Sequence, residues 1–460
     1  MTRRARMLPA AACLAAALAA PSALAQAAQG GSAPPAGDAV AALPQLAAST
    51  AAIASLPAPT LPRAALLREL LARSPALAEA RAMQGAAAAQ GDALRAGSQE
   101  FTAQAQLQQR NVDEPPDNGR YDEWQLLLSR PLRLPSQARA DASLAGALGQ
   151  SSQAALQVAR RGLQEQLLQA WFDAQLARAD AASALAHAQL LRSQAEAVRK
   201  RLALGDASRL EFDQIDAEQA RAESAWLLAR GRADSLLAAL QARWPLLAAD
   251  PLLRGDPDSA PSLRVPRLDD AALRQRLLEH SALMAQARGA LRQAQALADQ
   301  ASAARTPQPT LGAYLGSERG GRERIVGLQL QVPFGGAARQ ARERSALAEL
   351  DAAQWRLHEV QAQVLQRAEE LRVQAAAQAD AAHALRLALQ RQQLAAARTL
   401  RAWSLGEAGI EQWLLAQRNL LDVQRQALQA RFDAARSAAL LRLQAGLLET
   451  GVAAPPAAAR

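Results

Sequence analysis

The chain has 460 residues, only 3% of them aromatic, and a formal net charge of +9. So few aromatic rings cannot fill the thick core of ordinary globular domains, whereas Ala-rich seams between long helices need none, so an elongated helical body is expected. The charge is almost all arginine, Lys200 being the sole lysine, and both signs are interspersed along helical stretches; this is a solvated surface, not a nucleic-acid footprint.

Residues 1–25 open with MTRRAR, continue through an Ala/Leu-rich run and end on Ala23-Leu24-Ala25, the small-x-small pattern of a signal peptide. Export with cleavage after Ala25 is expected. The apolar run before Cys13 is too short for a lipidation signal, so the mature chain should carry no cysteine and no disulfide. Residues 26–61 are rich in Ala, Pro, Gly and Ser and read as a flexible arm. No later stretch approaches the roughly 18 uninterrupted apolar residues of a spanning helix, so any entry into a membrane must be made by strands.

The first of two repeats is expected at 62–244. Its strands are FTAQAQLQQR (101–110), where Phe101, Ala103, Ala105 and Leu107 share one parity, and YDEWQLLLS (121–129), where Trp124, Leu126 and Leu128 do. AQAQLQQ alone has good helix propensity, but the same alternation recurs at four places beside turn residues. A long helix follows at 136–202, with a seam stepping by sevens through Leu156, Leu163, Ala170, Ala177, Ala184, Leu191 and Val198, joined by Leu167, Ala174, Ala181, Ala188, Ala195 and Leu202. The turn at 204–208 is closed by Gly205, and Ser208 with Glu211 has the S-x-x-E form of a capping box opening a helix at 210–242.

A Pro-rich linker at 245–266 leads to the second repeat at 267–449 and a flexible tail at 450–460. Ser74 matches Ser281, Pro131 matches Pro333 and Gly205 matches Gly406, each displaced by slightly more than 200 positions, which argues for duplication. A single helix at 268–304 is expected, then strands at 310–318 and 324–332. Leu311, Ala313 and Leu315 share a face of the first, and Val326, Leu328 and Leu330 a face of the second. The intervening RGGRE resembles an RGG-type RNA tract but reads better as a hairpin turn. A second long helix at 337–403 ends at the turn 405–409, where Gly409 and Gln412 replace Ser208 and Glu211 and should cap more weakly. At roughly 1.5 Å per residue each long helix spans about 100 Å, matching two shorter ones laid end to end.

Asp206, Glu211, Asp213 and Asp216 make the first turn acidic. Acids in a first helical turn suit the helix dipole, and a ring of them at a pore mouth would attract cations; both readings stand. The four histidines, His187, His280, His358 and His383, lack partners at ligand spacing, and no phosphate loop or nucleophile motif occurs, so neither catalysis, metal nor cofactor is expected.

Duplicated helix-strand-strand-helix units, an export signal, and paired turns with Gly followed three residues on by a small residue resemble the TolC-like outer-membrane efflux proteins over roughly 66–448. GDASRLEFDQIDAEQA and VGLQLQVPF resemble the branch serving heavy-metal pumps of the cobalt-zinc-cadmium type. The resemblance implies a mainly α protein with a membrane β-barrel. Four strands from each chain of a homotrimer would close a twelve-strand barrel, and coiled-coil helices would form a periplasmic tunnel. Four open-edged strands also require closure by other chains in lipid.

Its implied partners are outer-membrane lipid, a periplasmic adaptor and an inner-membrane pump, with no nucleic acid. Leu204, Gly205, Asp206, Ser208, Leu405, Gly406, Glu407 and Gly409 would contact the adaptor. Glu211, Asp213 and Gln412 are the candidate polar residues of the pore mouth, although Gln412 departs from the family's acid and Leu415 stands where some members place another. Phe101, Leu107, Trp124, Leu126, Leu128, Leu311, Leu315, Val326, Leu328 and Leu330 would face lipid. The competing reading is a periplasmic coiled-coil adaptor or scaffold, which would normally bring one hairpin flanked by compact β domains.

Overall fold

A computed structural model of the chain describes residues 59–113, 115, 116, 118–248, 250, 253 and 270–448. The expected signal with Cys13, all but the end of the 26–61 arm, most of the 245–266 linker and the 450–460 tail lie outside the described residues.

In chain order the described residues form helices α1 (Ala64–Arg73) and α2 (Pro75–Ala96), strands β1 (Thr102–Val112) and β2 (Gly119–Pro131), and helices α3 (Pro135–Leu204), α4 (Arg209–Arg243) and the short α5 (Pro245–Ala248). The order then recurs as α6 (Asp270–His280), α7 (Ala282–Ala303), β3 (Thr310–Glu318), β4 (Glu323–Gln331), α8 (Ala337–Ser404) and α9 (Ile410–Gln444). Pro135 starts α3 at a position where its missing N–H costs nothing, and the 70 residues that follow without a breaker reach about 105 Å. The 68 residues of α8 reach about 102 Å.

One expectation fails. The single helix at 268–304 is two, α6 and α7, broken at Ser281, whose backbone is extended and whose Oγ accepts the Met284 N–H at 3.2 Å. A serine hydroxyl competes with the helix for backbone donors and here wins as an N-cap. The equivalent Ser74 separates α1 from α2, with Pro75 at the first helical position.

The alanine seam of α3 is buried or half-buried from Leu156 to Leu202. Near the sheet α3 packs on α2 and α7 so closely that a Cβ on Gly289 would lie 3.2 Å from Ser151 Cα, and one on Gly91 would lie 3.4 Å from Ala145 O. Towards its other end α3 packs on α4 and α9. Midway, Trp171, Phe172, Leu167 and Leu168 meet Leu67, Leu70, Leu240, Leu247, Leu428 and Phe432 in the main core. The end of the arm docks there: Trp171 Nε1 donates to Thr60 O at 2.7 Å, and Thr60 N donates to Gln175 Oε1 at 3.1 Å. Arg63 reaches the buried Asp250 at 3.2 Å beside them. Thr60 and Leu61, expected at the end of a flexible arm, therefore belong to the packed body.

His187 on α3 is buried between helices, and desolvation pushes its imidazole down to about 4, with Glu218 opposing the shift and Arg425 adding to it. The unfolded chain binds this proton below about 6.5 while the folded chain does not until about 4, so stability should fall as pH drops through that window. The expected loss is about 3 kcal/mol per chain, on the order of 1.36 kcal/mol for each unit. Urea unfolding at pH 7.5 and 4.5 checks this against His187→Gln, which should lack that share of the acid sensitivity.

The four strands make one antiparallel sheet in the order β1-β2-β3-β4, so β2 and β3 join the two repeats. Between β3 and β4 the chain turns through a 3-10 segment, Arg319–Gly321, with Gly320 and Gly321 at φ 61° and 93°, a hairpin as the RGGRE stretch suggests. No described residue pairs with the outer edges of β1 and β4. Among the described residues no helix is long and apolar enough to cross a membrane, and no group of three or more His, Cys, Asp or Glu is placed to hold a metal ion.

Candidate functional site

Register aligns the apolar parities of all four strands on one face of the sheet. Ala103, Leu128, Ala313 and Leu328 form one cross-strand row, and Ala105, Leu126, Leu315 and Val326 the next. Leu107 pairs with Trp124, and Leu311 pairs with Leu330. These side chains are exposed, Val326 by 85%, Leu107 by 84% and Leu328 by 80%, and Phe101 lies on the same parity just before β1. All ten residues expected to face lipid thus share one face. Scattered exposed leucines need no explanation, but two complete cross-strand rows of apolar side chains on one sheet face do.

The opposite face carries Gln104, Gln106, Gln108, Gln125, Gln329 and Gln331 with Glu123 and Tyr314. Glu123 is buried there, accepting from Gln108 at 2.7 Å and the Arg319 N–H at 3.3 Å, with Arg110 at 3.1 Å. The sheet therefore separates an apolar side from a polar, amide-rich side.

At the far end of the helices the two turns have the same backbone. Gly205 at φ 82° donates to Leu202 O at 3.1 Å, and Asp206 N donates to Arg201 O at 2.8 Å. Gly406 at φ 76° donates to Trp403 O at 3.0 Å, and Glu407 N donates to Ala402 O at 2.9 Å. Both glycines take the left-handed conformation that lets the last carbonyls be satisfied. Leu204 and Leu405 stand outside these turns, 78% and 63% exposed. Gly205, Asp206, Ser208, Gly406, Glu407 and Gly409 are exposed beside them.

Ser208 caps α4 as its sequence suggests, Oγ accepting the Glu211 N–H at 3.1 Å, while Gly409 gives α9 no side-chain cap. Ser208→Ala should therefore cost about 1 kcal/mol, read as earlier thermal loss of helix signal. The reciprocal half of the expected capping box is not formed. The Glu211 carboxylate instead accepts the Trp403 indole N–H at 3.1 Å and lies 3.4 Å from Arg201, linking the two hairpins. The half-buried Trp403 indole N–H gives this carboxylate a partner partly shielded from water, which outcompetes the solvent-accessible backbone amide of Ser208.

Around that link Trp403 stacks on Trp413 with centroids 5.0 Å apart, Gln214 donates to Glu411 at 2.8 Å, and Arg418 Nε donates to the buried Glu218 at 3.0 Å. Two tryptophans ten positions apart across the second turn, in a chain with seven, were the signal in the sequence for this cluster. Of the candidate polar residues of the mouth, Glu211 is thus occupied, Asp213 is exposed but 3.0 Å from Arg209, and Gln412 is exposed.

No protein-family model matches the chain, and no curated protein matches it in sequence. Solved structures do. The outer membrane protein VceC of Vibrio cholerae superposes with a TM-score of 0.64 at 22% identity, covering 83% of this chain and 95% of VceC. The chain has the fold of an outer-membrane channel. OprN, an outer-membrane channel, gives a TM-score of 0.67 at 19% identity over 86% of this chain and 95% of its own. The CmeC outer membrane channel of Campylobacter jejuni gives 0.60 at 15% identity over 84% and 87%. The match therefore spans helices, sheet and turns together, as the TolC-like resemblance implies for the fold.

Proposed function

We propose that the chain is one protomer of a trimeric outer-membrane efflux channel of a Gram-negative bacterium, conducting solutes from a periplasmic adaptor and inner-membrane pump to the outside. The observation that carries this reading is the sheet: one face apolar through its middle, one amide-rich face, and two edges unpaired among the described residues. In hydrocarbon every backbone N–H and C=O must be paired, so the edge of β1 must meet the β4 edge of another copy. Four strands are too few for a barrel, and three copies supply twelve, within the range such barrels use. The apolar face then meets lipid and the glutamines line water.

The helices support the same assembly. α3 buries its seam within the chain, whereas α8, its counterpart, leaves Leu347, Trp355, Val373 and Leu394 exposed. Those side chains supply the contact on which a neighbouring protomer's helices pack. The turns at 204–208 and 405–409 lie at the opposite end from the sheet, and their exposed leucines are where the adaptor docks. Residues 1–25 direct export, with 62–244 and 267–449 as the two repeats. For the transported substrate, the resemblance of 205–220 to heavy-metal channels and the exposed Asp206 and Asp216 favour divalent metal cations over neutral drugs. The chain conducts and does not transform.

Cell fractionation tests the class of function. Recovery in sarkosyl-insoluble outer membrane is expected. Recovery in the soluble periplasm would replace the channel with an adaptor or scaffold. Sensitivity of a deletion strain to zinc, cobalt and cadmium, compared with drugs, tests the substrate.

A further inference from the structure

The two repeats close their second hairpin helices with the same backbone and different side chains. α4 and α9 each run 35 residues, and the residue that follows each donates its N–H four places back, Trp244 to Leu240 O at 2.7 Å and Ala445 to Leu441 O at 2.9 Å. Trp244 packs against the core that holds Leu70 and Leu167, and against a smaller one of Leu71, Leu77 and Leu163. Ala445 is fully buried in the equivalent place, in a cluster with Leu277, Ala368 and Leu371. The displacement that carries Gly205 onto Gly406 also carries Leu163 onto Val364 and Leu167 onto Ala368, so three side chains shrink together. Leu371 and Leu283, in place of Ala170 and Ala76, return part of that volume.

A cavity of about 380 Å³ is left where these positions meet, lined by Leu277, Val364, Ala368 and Leu371 with Val158 and Leu283. Gly162 leaves its α3 wall bare, since a Cβ there would meet nothing within 4 Å. The volume is that of a small-molecule site, and smaller apolar cavities take up aromatic rings. The charged groups of the lining are matched. Arg161 donates to Leu443 O and, at 3.4 Å, to His280 O; Glu165 accepts from Gln444; Arg367 lies 3.3 Å from Glu370. Desolvation pushes the Glu165 carboxyl up and the Arg161 guanidinium down, each opposed by the charge of the other, so the surroundings are partly dry. Two guanidiniums thus meet two carboxylates, and an ionic ligand would lose its hydration without gaining a counter-charge.

We infer that this cavity binds a small, uncharged, planar aromatic molecule, whose ring does for the second repeat what the Trp244 indole does for the first. The ring would cover the leucine and valine side chains that Ala445 leaves open and remove their surface from water. α3, α6, α7, α8 and α9 supply the whole lining, with Ser281 at the break between α6 and α7. All of it belongs to one chain, so the site stands apart from the proposed assembly into a channel.

Fluorine NMR of fluoroindole added to the full-length protein in neutral detergent tests this. The fluorine line should broaden beyond its width in empty micelles, and indole should reverse the broadening while the carboxylate indoleacetate does not. Gly162→Leu, which puts a side chain into the open space, should weaken binding at least about tenfold. It should melt no lower than wild type, because glycine is a poor residue inside a helix. Ala445→Trp, which restores the indole of the first repeat, should weaken binding in the same way. No broadening beyond that of micelles, equal broadening by wild type and both variants, or equal competition by indoleacetate would each overturn the site. Broadening that appears only after residues 450–460 are removed would give the cavity to the chain's own tail and overturn it as well. None of these results would touch the channel reading, which rests on the sheet.

Discussion

Leu204→Asp combined with Leu405→Asp is expected to abolish efflux and adaptor crosslinking while leaving the trimer intact. Both leucines lie outside their own hairpins, 78% and 63% exposed, so replacing them removes little internal packing. They are separated from the sheet by the full length of α3 and α8, about 100 Å, and barrel closure should not depend on them. Burial in an adaptor groove would stabilise the complex by around 1.5 to 3 kcal/mol for each leucine. A carboxylate in the same place would be desolvated without a partner, beside Asp206 in one turn and Glu407 in the other. The combined loss exceeds a hundredfold in affinity. Lys200, exposed one helical turn from Leu204 and the only lysine, offers an amine-reactive site for the crosslinking readout. Normal crosslinking by the double variant would refute the contact, and a variant trimer that melts early on semi-native gels would assign the leucines to internal packing.

Leu328→Arg should prevent assembly into the membrane, whereas Gln329→Arg, its neighbour, should be tolerated. Leu328 lies in the row Ala103-Leu128-Ala313-Leu328 in the middle of the apolar face, and Gln329 points to the amide-rich side. Arginine near the bilayer midplane costs roughly 2 to 4 kcal/mol per chain, and a symmetric trimer incurs it three times. On the water-filled side the same side chain remains hydrated. Equal yields of heat-resistant membrane trimer from the two variants would reverse the facing of the whole sheet, because the side-chain period of a strand is two.

The sheet was legible because a period of two repeats at four places, each beside turn residues, and only pairings that preserve this parity put every apolar set on one side. The long helices were legible from the alanine seam, and the turns from Gly205 and Gly406, where only a left-handed residue lets the last carbonyls be satisfied. What escaped was decided by partners distant in sequence. Glu211 reads locally as half of a capping box, yet it bonds to Trp403, 192 positions away. Thr60 reads as the end of an arm, yet it fills the hydrogen-bonding needs of Trp171 and Gln175. The break at Ser281 was visible only through its match to Ser74, since no proline follows it to mark the boundary.

The central claim is that the β1 edge of one chain meets the β4 edge of the next, and disulfide trapping tests it most directly. Cys13 is the only cysteine, so in a Cys13→Ser background the introduced pairs have no competitor. Ala105→Cys would be combined in turn with Val326→Cys, Gly327→Cys and Leu328→Cys, positions spanning the middle of the opposite edge. A disulfide needs Cβ atoms roughly 3.5 to 4.5 Å apart, so only neighbouring strands in matching register can form one. Oxidised outer membranes should yield linked dimers and trimers at one of the three pairings, with nothing larger. Monomers alone at all three, from protein recovered in the outer membrane, or a ladder running beyond three chains, would contradict the closed trimeric barrel.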